Sequence, residues 1–595
     1  MALPLSSSAS PGADSAASQT GRLPSEPQAA TLGFILDGRA VEVPDDGDTL
    51  LGVLRDRVGI EAVLDGCSPQ GQCGCCTVLV DDEPRVACVT PARRVAGRRI
   101  TTAAGLSPDE QQRWSEAFLA CGATQCGFCT PGIVCRFVGH ERRGSDLSDR
   151  TTVDKALAAH LCRCTGWQTI REAAAHAAAA SGTGASDQLA RGPGTSTHAA
   201  TPTADVPERD PSAAARIAAA TPDFAGRDSE AAARRASIET GGPQQSVRAS
   251  VLGGFDFGAD GAPPGTLTAV TGPRGEWFLG ETLAQARRQA AKVQGRRTTL
   301  EPAPPIDIPE PPEGTQWAIR LATCWTEPGY LETDAAWCEP DGEPSDPLAN
   351  GGAFGGKAES PVRDEARHLA DEIGQPVRVL WSREDAVRRG PKRPPLAAGL
   401  HADGTGIIRI ARTPRAAEVL QAVLPNADIV EVDLPGPPTS TALRAAPWAE
   451  ARMLAAALNR RQAADPLVES TATVDVTSPD GAAARATVSP EGIKVHIDAG
   501  NPLDEVTLRS YVIGASHMAW SWVTSESLSV DAEGEIQDLT IRSFGIARSA
   551  DTPHINVTIE PSQQPPVQAG EAVFAAVAAA TWLSRGTPAH LPTGQ

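Results

Sequence analysis

Two groups of cysteines carry the most specific chemistry in this chain. The first reads GCSPQGQCGCCTV and is completed by Cys88; the second pairs QCGFCTPG at 125–132 with LCRCTGW at 161–167. Eleven of the 13 cysteines lie between Cys67 and Cys164. Thiolates are ligands for soft and borderline metals, and four of them complete a tetrahedral iron or zinc environment. Two quartets in one short stretch predict two metal sites side by side.

The quartets differ in design. Cys67, Cys73, Cys76 and Cys88 form C-x5-C-x2-C-x11-C. Three thiols in one loop and a fourth further along is the pattern of a plant-type [2Fe–2S] ligand set, although the usual first gap is four residues. Glycines 66, 71 and 74 let the backbone approach the sulfurs and aim N–H groups at them. Cys75, adjacent to Cys76, is the ambiguous member. A zinc ribbon prefers two matched C-x2-C knuckles, and this group has one close pair; a disulfide knot is the other alternative. Cys126, Cys129, Cys162 and Cys164 form C-x2-C-x32-C-x-C, which taken alone also suits zinc. Beside the first group it favours iron–sulfur. Cys121 and Cys135 read as buried structural thiols.

The elements that must position these thiols are short. LGFILDG and AVEVP read as a hairpin, DTLLGVLRDRVG as a helix with Asp48 as N-cap, and TVLVDDEPRVACV as a second hairpin. Two hairpins around one helix predict a β-grasp domain over 31–104. PDEQQRWSEAFLACG, PGIVCRFVGHERR, TTVDKALAAHLCRC and GWQTIREAAAHAAAA carry helical periodicity and predict a four-helix bundle over 105–180, with the C-x-C at a helix end. Residues 1–30 read as a disordered tail. Residues 181–248, rich in Ala, Gly, Ser, Thr and Pro, read as a disordered linker. Residues 249–595 mix strands such as QPVRVLWSRED and GTGIIRIART with a closing apolar helix, GEAVFAAVAAATWL. The predicted fold class is α+β throughout.

The chain has 595 residues, enough for three or four domains, and a formal net charge of −20. That acidity repels phosphate backbones, so nucleic acid is not an expected partner. No run of about 18 apolar residues is present, so no membrane span is expected. The N-terminus lacks a charged n-region, an apolar core and a twin arginine, so a cytoplasmic location is expected. In a reducing compartment thiols serve metals or catalysis more often than disulfides.

GQCGCCTVLVDDEPRVAC and ATQCGFCTPGIV…LCRCTGW together resemble the iron–sulfur subunit of the molybdenum hydroxylase family, the xanthine dehydrogenases and aldehyde oxidases, over 31–180. The resemblance implies two [2Fe–2S] clusters, the helical one proximal to molybdenum and the β-grasp one distal, with Gln125 against a molybdopterin. The order of blocks further on resembles a shortened molybdopterin-binding subunit. EPGYLETDAAW, GGAFGGK, QPVRVLWSREDAVRRGPKRPP, LRAAPWAEARML and GEIQDLTIRSFGIARSADTPHINV follow one another between 327 and 557. This implies Phe354, Gly355 and Arg444 as cofactor contacts.

Departures limit what carries over. Thr326 stands where many members have glutamine, and Ala358 where a substrate-facing glutamate often follows the FGGK lysine. The family's basic glutamate lies in a G-E-P context; GEAVFAAV lacks the proline, so Glu571 is assigned no role and no catalytic base is named. The implied activity is oxidative hydroxylation of an aldehyde, purine or other N-heterocycle, with electrons leaving through two clusters. The alternative is an electron-transfer or assembly module with a degenerate molybdopterin-like region. No flavin-binding segment is recognised, so the expected partners are an FAD-containing subunit, a molybdenum subunit or another electron acceptor, besides the small-molecule substrate.

Overall fold

The computed structural model describes residues 31–180, 227–242, 251–254, 257–292, 298–348, 351–462 and 470–594. The tail at 1–30 and most of the segment read as a linker lie outside the described residues.

The β-grasp sheet forms as its turns require. β1 (Thr31–Leu36) and β2 (Arg39–Pro44) pair antiparallel across Asp37-Gly38, both at positive φ, the conformation a two-residue hairpin of matching twist needs. β3 (Thr77–Val80) and β4 (Glu83–Val86) repeat the device with Asp81-Asp82. β5 (Arg99–Thr101) lies between β1 and β3, giving the order β2-β1-β5-β3-β4. The intervening helix begins at Leu50 and is capped by Thr49, not Asp48. Asp48 Oδ1 instead accepts the Thr49 N–H at 2.6 Å, so its own carboxylate is spent one residue too early to cap.

The four expected helices are present: α1 (Pro108–Ala120), α2 (Thr130–Glu141), α3 (Arg150–Leu157) and α4 (Gln168–Ala180). α1 opens with a full capping box between Ser107 and Glu110. α3 stops five residues before Cys162, so the C-x-C sits on a loop rather than at a helix end. The loop is held instead by the Leu161 N–H, which donates to the Cys73 carbonyl at 2.9 Å.

One correction concerns the linker at 181–248. Within it, Ser229–Thr240 is a helix, α5, started by Asp228 and ended by Gly241 at positive φ. Alanine-rich sequence with scattered charge has high helix propensity, and here one face docks in the core. Arg235 is fully buried and forms an ion pair with Glu239, also buried.

The rest is mixed α/β, with two four-stranded sheets and one five-stranded sheet. Its centre is a pair of helices, α6 (Glu505–Thr524) and α7 (Gly570–Ser584). Nearly every α7 side chain from Ala572 to Leu583 is buried, which is why this helix is apolar all round. Among the described residues no helix is long and apolar enough to cross a membrane.

α6 also buries His517. Its Nε2 lies 3.2 Å from the Ala547 carbonyl, its Nδ1 has no partner, and burial pushes its pKa down to about 3. The unfolded chain therefore binds the proton first. Stability from this residue is present above about pH 6.5 and is lost as pH falls from there toward 3. His517→Gln is expected to flatten the dependence of the unfolding midpoint on pH in that window. An unchanged slope in denaturant titrations at several pH values rules this out.

Candidate metal centre

The loop of the first group is built from glycine contacts. A Cβ on Gly66 would stand 3.1 Å from Cys75 Sγ and 3.2 Å from Cys73 Sγ, so the backbone there lies directly on the thiols. Gln70 N–H points at Cys67 Sγ at 3.1 Å and Cys88 N–H at Cys76 Sγ at 3.4 Å. Cys67 contacts Cys73 and Cys88, and Cys88 also contacts Cys76. These contacts hold the Cys67 thiol well below its usual range, with Cys73 the largest cause, while those of Cys73 and Cys88 are pushed up. Cys75 is buried too and its thiol is hydrogen-bonded to Cys73.

The second group is arranged in pairs. Cys126 Sγ lies 3.3 Å from Cys164 Sγ, and Cys129 meets Cys162. Cys162 is lowered to about 7 by the Cys129 contact and then by Thr165, whose hydroxyl is 3.1 Å away. All eight thiols are buried. Among the described residues no three His, Cys, Asp or Glu side chains are set to hold a single ion. The pairing of Cys126 with Cys164 and of Cys129 with Cys162 suits a two-iron cluster, in which each iron takes two protein thiolates. The ordinary thiols differ in setting: Cys121 is pushed up to about 11 and Cys135 higher, both by burial and without a sulfur neighbour among the causes.

The two groups are locked to each other. Gly132, two residues into α2, sits so close to the first loop that a Cβ would lie 2.4 Å from the Gly74 carbonyl oxygen and 2.6 Å from that of Cys75. The His160 ring covers Gly74 and bridges Thr77 and the Gly132 carbonyl at 3.4 and 3.3 Å.

The C-terminal region closes over both. Gln70 exchanges hydrogen bonds with the backbone of Leu539 and Ile541 at 2.7 and 3.1 Å. Arg163, between Cys162 and Cys164, forms a bidentate pair with Glu526 at 2.5 and 2.7 Å. Gln168 pairs with both backbone groups of Ile555 at 2.9 Å. Gly352, at φ +81°, lies against Cys126 and Cys164, and Gly514 of α6 meets the Cys164 carbonyl.

The expected cofactor contacts also gather here. Gln125 donates to Ser510 Oγ at 2.9 Å. Arg444 stacks over Phe354 at 4.8 Å, donates its backbone N–H to the Phe354 carbonyl at 3.1 Å, and points Nη1 at Met518 Sδ at 3.3 Å. Phe354 has a positive φ of 52°, and Gly355 is required because a Cβ would strike the Ala442 carbonyl. Thr326 lines the adjoining cavity. Two carboxylates join them: Glu571, which the sequence left without a role, and Glu239, which it did not single out. Glu571, in the first turn of α7, lies beside Arg444 and is raised by burial against the pull of that guanidinium. Glu239 accepts the Ala569 and Gly570 N–H groups at 3.0 and 3.1 Å, filling the anion site at the α7 N-terminus. The one sequence signal for Glu239 was its spacing of four from Arg235.

The thiols fit iron–sulfur clusters; the cavity beside Phe354 and Arg444, as packed here, is too small to enclose a molybdopterin. The cavity bounded by Phe354, Arg444, Arg393, Trp522 and Phe574 measures about 40 Å³. Pockets for cofactor-sized molecules run from about 300 to 1,000 Å³. Arg393, paired with Glu450 at 2.6 and 2.8 Å and stacked on Trp522 at 4.3 Å, closes it.

Residues 102–175 match the family described as [2Fe–2S] binding domain. The small FeS subunit of nicotinate dehydrogenase from Eubacterium barkeri is 34% identical over 149 residues, 25% of this chain and 94% of that protein. The alpha subunit of isoquinoline 1-oxidoreductase from Brevundimonas diminuta is 35% identical over 148 residues, 24% of this chain and 95% of that one. The fold of nearly the whole chain is similar to that of aldehyde oxidoreductase from Desulfovibrio gigas. The TM-score is 0.58 at 14% identity, with 93% of this chain and 97% of the other covered. The chain therefore belongs to the molybdenum hydroxylase family, as a [2Fe–2S]-binding oxidoreductase of the xanthine dehydrogenase and aldehyde oxidase type.

Proposed function

We propose that this chain is the electron-relay component of an oxidative hydroxylation. Its substrate is an aldehyde, a purine or another N-heterocycle, and its molybdenum centre is completed with a partner subunit. Two [2Fe–2S] clusters, when bound, supply one-electron carriage, which a two-electron oxidation needs in duplicate. Cys67, Cys73, Cys76 and Cys88 hold one cluster and Cys126, Cys129, Cys162 and Cys164 the other. The residues around them exclude water and aim N–H groups at the sulfurs, which tunes the potential. The observation that carries this reading is the contact of Gly132 and His160 with the Gly74–Cys75 backbone, which joins the two thiol groups through van der Waals contact. Gln125, Phe354, Gly355 and Arg444 form the face nearest the Cys126–Cys164 pair, and a partner's cofactor would approach there.

The 40 Å³ cavity favours a second reading, an electron-transfer or assembly module that takes no part in hydroxylation. Metal analysis of chain purified from a host that makes the molybdenum cofactor, with EPR after dithionite reduction, tests both. About four irons and two distinct [2Fe–2S] signals are expected. Zinc without iron sinks both readings. Molybdenum recruited by a partner subunit supports the first, and a chain that recruits none with any family partner leaves the second.

The ligand assignment has its own test. Cys73→Ser is expected to remove one EPR signal and spare the other, whereas Cys75→Ser keeps both. Loss of a signal in Cys75→Ser overturns the choice of Cys73 and Cys76 over Cys75.

A further inference from the structure

Three arginines of the C-terminal region donate to carbonyls of the first cysteine loop. Arg383 Nη2 meets the Gly66 carbonyl at 2.5 Å and the Leu331 carbonyl at 2.7 Å. Arg287 meets the Ser68 carbonyl at 3.2 Å, so Cys67 has a guanidinium on each side. Arg542 meets the Gln72 carbonyl, next to Cys73, at 3.0 Å and that of Ala158 at 2.8 Å. Among the described residues none of the three forms an ion pair. Two carboxylates face the same loop, Asp65 through the Ser68 N–H at 2.9 Å and Glu384 through the Gln70 side chain at 3.2 Å. Three cations therefore stand against two anions, in a chain whose net charge is −20. At the second group the balance differs. Arg163 is cancelled by Glu526, and Arg444 faces both Glu239 and Glu571.

Arg383 is the extreme case. It is fully buried at the start of the helix Arg383–Arg389, whereas Arg287 is half-buried and Arg542 exposed. Behind it stand Lys392, which pairs with Glu327, and Tyr330, whose hydroxyl donates to Asp334 at 2.6 Å. Taking a guanidinium out of water is costly unless an opposite charge meets it. Gly66 brings one close. Its carbonyl receives Arg383, and a Cβ on the same residue would stand 3.2 Å from Cys73 Sγ. Coordinating thiols are deprotonated, so four thiolates around a two-iron cluster make a net anion at this place.

We propose that Arg383, supported by Arg287 and Arg542, holds up the reduction potential of the cluster bound by Cys67, Cys73, Cys76 and Cys88. The proposal rests on the relay reading and its ligand assignment. Uptake of one electron adds one negative charge at the thiols, and a fixed cation nearby stabilises the reduced form more than the oxidised one. All three arginines belong to the C-terminal region, so the potential depends on the docking of that region. The coupling is reciprocal: reduction of this cluster tightens the same docking.

Redox titration of the full iron-loaded chain with dithionite, followed by EPR, tests this. The signal to follow is the one that Cys73→Ser removes. Arg383→Gln, which removes the charge and keeps a terminal N–H donor, is expected to disfavour its reduction by about tenfold or more, a fall of about 59 mV for a one-electron couple. The other signal should keep its midpoint, and Arg383→Lys should recover most of the fall. Arg542→Gln is expected to give a smaller fall that fades in about 1 M KCl, because an exposed charge is screened there, whereas the Arg383→Gln fall persists. Two signals with unmoved midpoints in Arg383→Gln, equal falls in both clusters, or a lysine variant no better than glutamine overturns the proposal. If Arg383→Gln fails to fold, Arg542→Gln decides, and no salt-sensitive fall there overturns it. An unaltered chain without [2Fe–2S] signals would sink the relay reading itself, an outcome distinct from signals whose midpoints do not move.

Discussion

Gly352→Val is expected to remove one of the two [2Fe–2S] signals and about half of the bound iron. Gly352 stands at φ +81°, where a side chain is strained, and a Cβ there would lie 2.7 Å from Cys126 Cβ and 3.0 Å from its sulfur. Contacts under 3 Å force something to move, and the neighbour is a buried thiol rather than the free end of a long side chain. The sulfur of Cys164 is 3.5 Å from the same point, so a branched side chain disturbs both members of the pair. The β-grasp group does not touch Gly352 and its signal should persist. Gly242, around which a Cβ would meet nothing within 4 Å, provides the control: Gly242→Ala should keep both signals. EPR and iron analysis of the two variants check this. Two unaltered signals in Gly352→Val would remove Cys126 and Cys164 from the ligand set.

Glu526→Ala is expected to lower stability by about 3–5 kcal/mol, because it leaves the Arg163 guanidinium buried without its counter-charge. Arg163 is 5% and Glu526 1% exposed at the side chain, so little water can reach the orphaned charge. The Arg163 Nε bond to the Pro328 carbonyl at 3.0 Å survives but satisfies only one of the donors. Replacing both residues by apolar ones of similar volume, as in Arg163→Met with Glu526→Leu, should recover most of the loss. Chemical denaturation of the single and double variants measures it. A single-variant loss under about 1 kcal/mol, or a double variant no better than the single, contradicts the pairing. The magnitude separates this pair from exposed ones such as Arg485–Asp475, where about 0–1 kcal/mol is expected.

What the sequence made legible was local. Both hairpins announced themselves by Asp-Gly and Asp-Asp turns, and the bundle helices by apolar spacing. The eight thiols separated from Cys121 and Cys135 by spacing alone; the structure brings Cys75 to the first group as well. What stayed hidden was long-range. Nothing near Gly352 in sequence says that it abuts a sulfur contributed some 190–230 residues earlier. α5 was hidden for a different reason. Ser229–Thr240 has a linker's composition, and its helix matters because Arg235 and Glu239 find partners at Val567, Ala569 and Gly570. Cys75 is ambiguous in sequence because it adjoins Cys76, and in the structure both are buried in the same loop. The size of the second cavity is a property of packing: Arg393, Trp522 and Phe574 come from three separate elements.

The closure over the thiols also constrains how the protein is made. Cys126, Cys129, Cys162 and Cys164 are each at most 7% exposed, under a lid of Gly352, α6 and the Arg163–Glu526 pair. Iron and sulfide would reach these thiols most readily before that cover is in place. Synthesis supplies the opportunity. The two thiol-bearing domains leave the ribosome before Gly352, α6 and Glu526. A chain whose C-terminal region docks before loading would depend on local opening of that cover to take up its metal.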